Sequence, residues 1–443
     1  MLALFCALSA TIILNARATY ISVFLQSLAF IGFELYHYLK IESNKKYIRN
    51  ILYYCFTLII AVLILQFVFS QIEQSKKTVS YGDLNKRISS IAFTKEGSSS
   101  RFLYWEESID FIKKNPILGG GLGNWKIYAI NYEQNYRTSF ICSKHVHNDF
   151  LEVAAESGIV SAVVFCLIFI SLSLILLQNS FQRNSKKRAL AFMLFLMLMA
   201  YLIDSALNFP LERPIMQVSL MFIFSLSIYL FSEKKSRKIS TNHPLAFILL
   251  LLLCFSMYLS ITTYYSMCLQ SKIRSNTIKQ SEVDAFPSIP NITEYVMPIN
   301  GMQANFYYSK KNYKKAEYYL NKKINNNPYY FYNEYVRSRM YFSKHEIDSA
   351  IKYGEIAFKN RPADANMFSN LICFYQEKKD TASINKAYTL TNSKVKNPKA
   401  ADNYATYFLK ATGDTNYIRS FLDQKIVEFP NDTLLKKKRK SLN

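Results

Sequence analysis

Histidine is nearly absent from this sequence, and glycine and cysteine are sparse. Five histidines occur in 443 residues, and two of them, His145 and His147, stand one residue apart in "SKHVHNDFLEVAAESGIV". Of eleven glycines, four crowd between Gly119 and Gly123. No Gly-Lys-Ser/Thr follows them and no strand-to-helix context is evident, which argues against a nucleotide P-loop. The seven cysteines are irregularly spaced, so neither a disulfide framework nor a zinc site is indicated. Most lie in apolar runs, where a cysteine is a small buried hydrophobe. Acidic residues are outnumbered 31 to 54, for a net charge of +23. That balance suits nucleic acid, loops beside anionic lipid, or a lysine-rich host proteome. The first fourteen residues, "MLALFCALSATIIL", lack the basic flank of a signal peptide, although "ARA" at Ala16–Ala18 resembles a cleavage site. Another apolar run follows at once, so this stretch reads as the tail of a span whose beginning is missing.

What is abundant is hydrophobicity, concentrated in residues 1–264; residues 265–443 are polar and rich in Lys, Asn and Tyr. A helix needs about 20 apolar residues to cross the hydrocarbon core. Spans are expected at 18–38, 51–70, 158–178, 190–209, 214–231 and 244–264. Lys40, Lys45, Lys46 and Arg49 lie in one loop, Arg183, Lys186, Lys187 and Arg188 in a second, and Lys234, Lys235, Arg237 and Lys238 in a third. Each is two spans from the next, so all three share a side, which the positive-inside rule makes cytoplasmic. Loop 71–157 and everything after Tyr264 then face outward, and an outward domain gives the positive charge no nucleic acid to meet.

His147 would sit just before a short helix at the lip of the span beginning at Gly158. Asn148 and Asp149 suit an N-cap, and Asp149 with Glu152 has capping-box spacing. The positive end of a helix keeps an imidazole neutral, as a general base requires. Two alternatives stay open: a histidine merely hydrogen-bonded at the interface, or a Zn or Mn site on His145 and His147 with Asp149 nearby, for which spacing places no third ligand. Upstream, Phe102, Trp105, Ile109 and Ile112 fit an amphipathic helix lying on the membrane. "NPILGGGLGNW" then reads as a helix end and tight turn, in which glycine lets the backbone approach a ligand or a span. Arg101 begins that helix and Arg17 lies in the outer turn between the first two apolar runs, both on the side of His147. An arginine at such a place implies binding, against the plainer reading of a solvated loop charge.

Together, Arg101 with Trp105, "NPILGGGLGNW" and "HVHNDFLEVAAESGIVS" resemble the O-antigen ligase/polymerase family of bacterial membrane proteins. In that family a His-Asn pair is followed nine residues later by glycine, a spacing that His147-Asn148 and Gly158 meet and His145 does not. Ser161 departs from the family's usual Gly, Thr or Tyr. "NAR" at Asn15–Arg17 resembles the family's Ser-Arg-Gly turn with Ala18 in place of Gly, and "NFPLERP" at Asn208–Pro214 resembles an outer turn between late spans. The resemblance covers about residues 1–231. It implies an enzyme of the bacterial inner membrane that moves glycan from a polyprenyl-diphosphate carrier to an acceptor in the periplasm: lipid A core, a growing polymer or a protein. His147 would be the base, Arg17 and Arg101 would bind the diphosphate, and Asn148, Gly119, Gly121, Gly123 and Gly158 would support them. No cofactor or metal is implied. Family members usually have ten or more spans, so an N-terminal half is expected to be missing.

In the polar half, Pro328, Pro362, Pro398 and Pro430 recur at 34, 36 and 32 residues, and Ala316 and Ala350 each precede their proline by twelve. This pattern resembles tetratricopeptide repeats, two helices per unit. The expected fold class is therefore all-α. A polytopic α-helical membrane domain (1–264, six or seven spans) is joined through a linker (265–300) to an exoplasmic α-solenoid (301–435) that offers a surface for a protein partner. Two other functions compete with the enzyme. One is a non-catalytic envelope scaffold presenting the repeats. The other is a transporter, which the clustering of His and Arg outside the spans disfavours.

Overall fold

The computed structural model describes residues 2–13, 17–41, 43–75, 101–138, 142–182, 185–231, 243–322 and 327–442. Among them regular structure is helical throughout, apart from one isolated bridge between Ile292 and Pro298. The chain divides into two compact units, residues 1–125 with 145–237, and residues 126–144 with 238–443.

The first unit contains α1 (Leu2–Ile13), α2 (Arg17–Tyr36, prolonged by a π-turn to Ile41), α3 (Lys45–Ser75), α4 (Arg101–Lys114), α6 (Asp149–Ser180), α7 (Ser185–Leu207) and α8 (Pro214–Phe231); α5 (Trp125–Glu133) begins at its edge. Among the described residues, five helices are long and apolar enough to cross a membrane: Ala18–Ile41, Lys45–Val68, Asp149–Ser180, Lys187–Leu207 and, in the second unit, Pro244–Arg274. The remaining expected span, 214–231, is the shorter apolar helix α8, because Pro214 starts it directly after a 3-10 turn at Pro210–Glu212. In lipid, burial of apolar surface no longer drives helices together, so packing and interhelical hydrogen bonds must. Phe169, Leu172 and Leu176 of α6 interlock with Leu194, Leu198 and Tyr201 of α7 and Leu220 and Ile223 of α8. Phe33 of α2 stacks on Phe192 of α7 at 3.8 Å, and the Gln26 side-chain amide donates to Leu196 O at 2.8 Å. Each such hydrogen bond in a bilayer stabilises by about 0.6–2 kcal/mol. Arg188 donates to the Tyr47 hydroxyl at 2.9 Å, so two of the three basic loops meet. The third, with Lys234, Lys235, Arg237 and Lys238, and also Arg183, lie outside the described residues.

The second unit contains α9 (His243–Arg274), α10 (Gln280–Asp284), and then α11 (Ile299–Ser309), α12 (Tyr313–Asn321), α13 (Tyr332–Ser343), α14 (Ile347–Asn360), α15 (Ala365–Glu377), α16 (Thr381–Lys394), α17 (Pro398–Thr412), α18 (Thr415–Glu428) and α19 (Thr433–Lys440). Pro328, Pro362, Pro398 and Pro430 precede or open α13, α15, α17 and α19, where a missing N–H costs least. Ala316 and Ala350 are fully buried in α12 and α14, where a larger side chain would hold neighbouring helices apart. The sequence-based boundary at 264 differs from the compact units. The last turns of α9, with Ser266, Leu269 and Gln270, are buried in the second unit, and so are Ile130 and Cys142 from the segment assigned above to the outer loop.

Candidate active site

The glycine-rich turn and the histidine motif form one structure, and a break in a helix explains why. Gly158, at φ 83° and ψ 169°, interrupts α6. In an unbroken helix Ile159 N would bond to Ala155 O, and Val160 N to Glu156 O. Here Ile159 N donates to Pro116 O, while Ala155 O and Glu156 O accept from Gly120 N and Gly121 N, all at 2.8 Å. The turn thus takes up the backbone groups that the break releases, which a buried position demands. The Glu156 carboxylate adds Gly123 N at 2.8 Å and Trp125 N at 3.0 Å. A Cβ on Gly119 would come within 2.5 Å of Glu156 C, and one on Gly158 would collide with Ile117 O. Gly121 and Gly123 are left-handed and shape the turn. What these glycines approach is the helix of the span itself.

That scaffold fixes the start of α6. Asn148 is the N-cap, accepting from Leu151 N at 3.1 Å. The Asp149–Glu152 capping box does not form. Asp149 is already helical, and its carboxylate accepts from Leu211 N at 3.1 Å. Glu152 reaches back past the cap to Val146 N and His145 Nδ1, both at 2.9 Å. The His145 ring is flat on Phe209 at 4.2 Å.

His147 takes φ 60°, a left-handed conformation uncommon outside glycine. Such a backbone costs about 1–3 kcal/mol and persists where its surroundings over-determine it. Its ring stacks on Tyr104 at 6.0 Å and meets the edge of Phe209 at 5.0 Å, while Trp105 Nε1 donates to its carbonyl at 3.4 Å. Nδ1 is buried without a hydrogen-bond partner among the described residues. Burial first, and then the charges of Arg101, His145 and Arg213, push the imidazole down to about 4. The expected neutral histidine therefore has a different cause: an aromatic cup and neighbouring positive charge, where the sequence pointed to a helix end.

Arg101 Nη2 donates to Asn208 Oδ1 at 2.8 Å, and Asn208 in turn donates to Asp204 at 2.6 Å. This ties α4 to the "NFPLERP" turn. From the same turn Arg213 lies over the Phe209 ring, 4.7 Å from its centroid. Arg213 and Phe209 were not singled out in the sequence; their signal was an arginine and an aromatic in a turn already noted. Arg17 begins α2, but its side chain lies outside the described residues. The amphipathic face of α4 is also corrected. Tyr104, Glu107, Ser108 and Phe111 are buried and Ile109 is exposed, because the helix packs against α6. No group of three His, Cys, Asp or Glu placed to hold a metal ion occurs among the described residues.

These features define the class, a multi-pass helical membrane protein with a compact cationic, aromatic-lined histidine site at the mouth of a broken span. Within that class, the model of the O-Antigen ligase family matches residues 2–166. The match takes in Arg17, Arg101, the glycine turn, His147 and Gly158. No curated protein and no solved structure matches the chain.

Proposed function

We propose that the protein is a membrane glycosyltransferase of the O-antigen ligase type. It moves glycan from a polyprenyl-diphosphate carrier to an acceptor hydroxyl on a glycan or lipid A core, on the periplasmic side of the inner membrane. The observation that carries this reading is His147: neutral, half-buried between Tyr104 and Phe209, and flanked by Arg101 and Arg213. The acceptor hydroxyl attacks the donor's anomeric carbon and His147 takes its proton. The bond from that carbon to the phosphate oxygen breaks, and polyprenyl diphosphate leaves with the electron pair. Arg101, Arg213 and Arg17 meet the charge that develops on the leaving diphosphate, for which a guanidinium fork is suited. No step in this scheme needs a metal. The outward orientation rests on the basic loops. The helix pairs after Ile299 are read as tetratricopeptide-like repeats offering a surface to a protein partner.

The test is a pair of substitutions at Arg101. Arg101→Lys keeps the charge and loses the fork; Arg101→Ala loses both. A charge-assisted contact of about 2–4 kcal/mol corresponds to roughly 30- to 1,000-fold in rate. Transfer from a polyprenyl-diphosphate donor is expected to fall by that much in Arg101→Ala and by less in Arg101→Lys, at unchanged membrane levels. Wild-type rates in Arg101→Ala would remove this arginine from the diphosphate site.

A further inference from the structure

Asp149 opens α6 two residues after His147, is only 2% exposed, and has no part in the transfer scheme. Its carboxylate accepts from Leu211 N at 3.1 Å, reaching the turn between α7 and α8. A backbone N–H held away from water needs a partner, and an ionised acceptor is the stronger kind. Other ties of the turn are Asn208, which accepts from Arg101 and donates to Asp204, and an exposed bond from the Gln217 side chain to Leu211 O.

What this turn carries is the Phe209 ring. That ring stacks on His145 at 4.2 Å, meets His147 edge-on at 5.0 Å, and lies under Arg213 at 4.7 Å. Leu211 stands two residues from Phe209 and two from Arg213. One hydrogen bond from the first residue of α6 therefore fixes the part of the turn that bears both.

We infer that Asp149 is a positioning residue, the clasp that holds Phe209 and Arg213 of the 208–214 turn against His147. Its effect on rate rests on the proposed transfer at His147, but the clasp itself can be read from the imidazole. The titratable side chains on the elements that meet here are Arg101, Tyr104 and Glu107 of α4, His145 before α6, Asp149 and Glu152 of α6, Tyr201 and Asp204 of α7, and Glu212 and Arg213 of the turn. Desolvation, and then the charges of Arg101, His145 and Arg213, hold the imidazole at about 4. An opened turn uncovers the ring and withdraws Arg213, and both changes favour the imidazolium. Cutting the clasp therefore raises the pH at which His147 takes up a proton.

The test uses full-length protein in lipid nanodiscs, labelled in its histidine rings and titrated by NMR. The His147 signal is assigned by its loss in His147→Gln. Asp149→Ala is expected to move the His147 titration up by about one pH unit or more, and the acid limb of kcat/KM with it. At pH 7 its kcat/KM falls about 10- to 100-fold, the scale of a lost hydrogen bond to a charged group. Asp149→Ser, which suits a helix start but is one bond too short for Leu211 N, changes both in the same direction. Asp149→Asn keeps an acceptor oxygen, so its rate stays within about threefold and its titration stays near that of the unaltered protein. Phe209→Leu removes the ring that the clasp delivers and also raises the titration; adding Asp149→Ala to it changes little more, as expected of residues that act through one another. A His147 titration unmoved in both Asp149→Ala and Asp149→Ser overturns the clasp, whatever happens to the rate, and leaves the transferase reading intact. Fully additive effects of Asp149→Ala and Phe209→Leu overturn it too. A titration that moves as expected in a protein without any transfer counts against the transferase reading and not against the clasp.

Discussion

Replacing His147 by alanine is expected to reduce glycan transfer by about 10²- to 10⁴-fold, the usual contribution of a positioned general base. The side chain is held by packing against Tyr104 and Phe209, so its loss leaves the helices around it in place. His145→Ala differs. It removes the bond to one Glu152 oxygen, but Val146 N keeps the other, and the expected loss is about tenfold. The pH profile separates the roles further. With His147 at about 4, the base stays unprotonated above that value, so kcat/KM for the free enzyme is flat from pH 8 to about 5 and falls as pH approaches 4. A fall centred near 6.5 would show an imidazole that is neither desolvated nor surrounded by positive charge. Equal loss in both mutants, restored by added Zn or Mn, would favour the metal-site alternative.

The second large effect is expected at Gly158, and on folding as well as on catalysis. Its φ of 83° is open to glycine, and a Cβ would strike Ile117 O, whose neighbour Pro116 O accepts from Ile159 N. Gly158→Ala has to break the turn away from α6 or straighten the helix, at about 3 kcal/mol or more from backbone strain and overpacking together. Gly119→Ala meets Glu156 C at 2.5 Å and should cost nearly as much. Gly123→Ala keeps a positive φ but meets nothing within 4 Å, so only the left-handed penalty of about 1–2 kcal/mol remains. Thermal midpoints in detergent should therefore fall in the order Gly123, Gly119, Gly158, smallest loss first. A Gly158→Ala protein with the wild-type midpoint would mean that the helix break and its docked turn are not needed.

Local patterns carried much of this. Six apolar runs are visible without a structure, and five of them match described helices long enough to span by themselves. The glycine turn and the His-Asn spacing to Gly158 were legible because the turn and the break are short-range features. What joins them was not: Glu156 bonding Gly123 and Trp125 links residues 31 to 33 apart. The face of α4 slipped by one position, from Trp105 to Tyr104, because aromatic content marks both sides of that helix alike. Arg213 and Phe209 were passed over because their nearness to His147 depends on how α6, α7 and α8 pack. The arm 126–144 reads as loop in sequence, since Ile130 and Cys142 find their partners more than 130 residues further on.

The most direct measurement is product analysis. Purified full-length protein in lipid is given a polyprenyl-diphosphate-linked glycan and a hydroxyl acceptor. Free polyprenyl diphosphate is expected in equal amount to glycosylated acceptor, with neither product formed by the His147→Ala protein. Donor recovered intact beside the unmodified acceptor, or the same release from His147→Ala as from the unaltered chain, would contradict it.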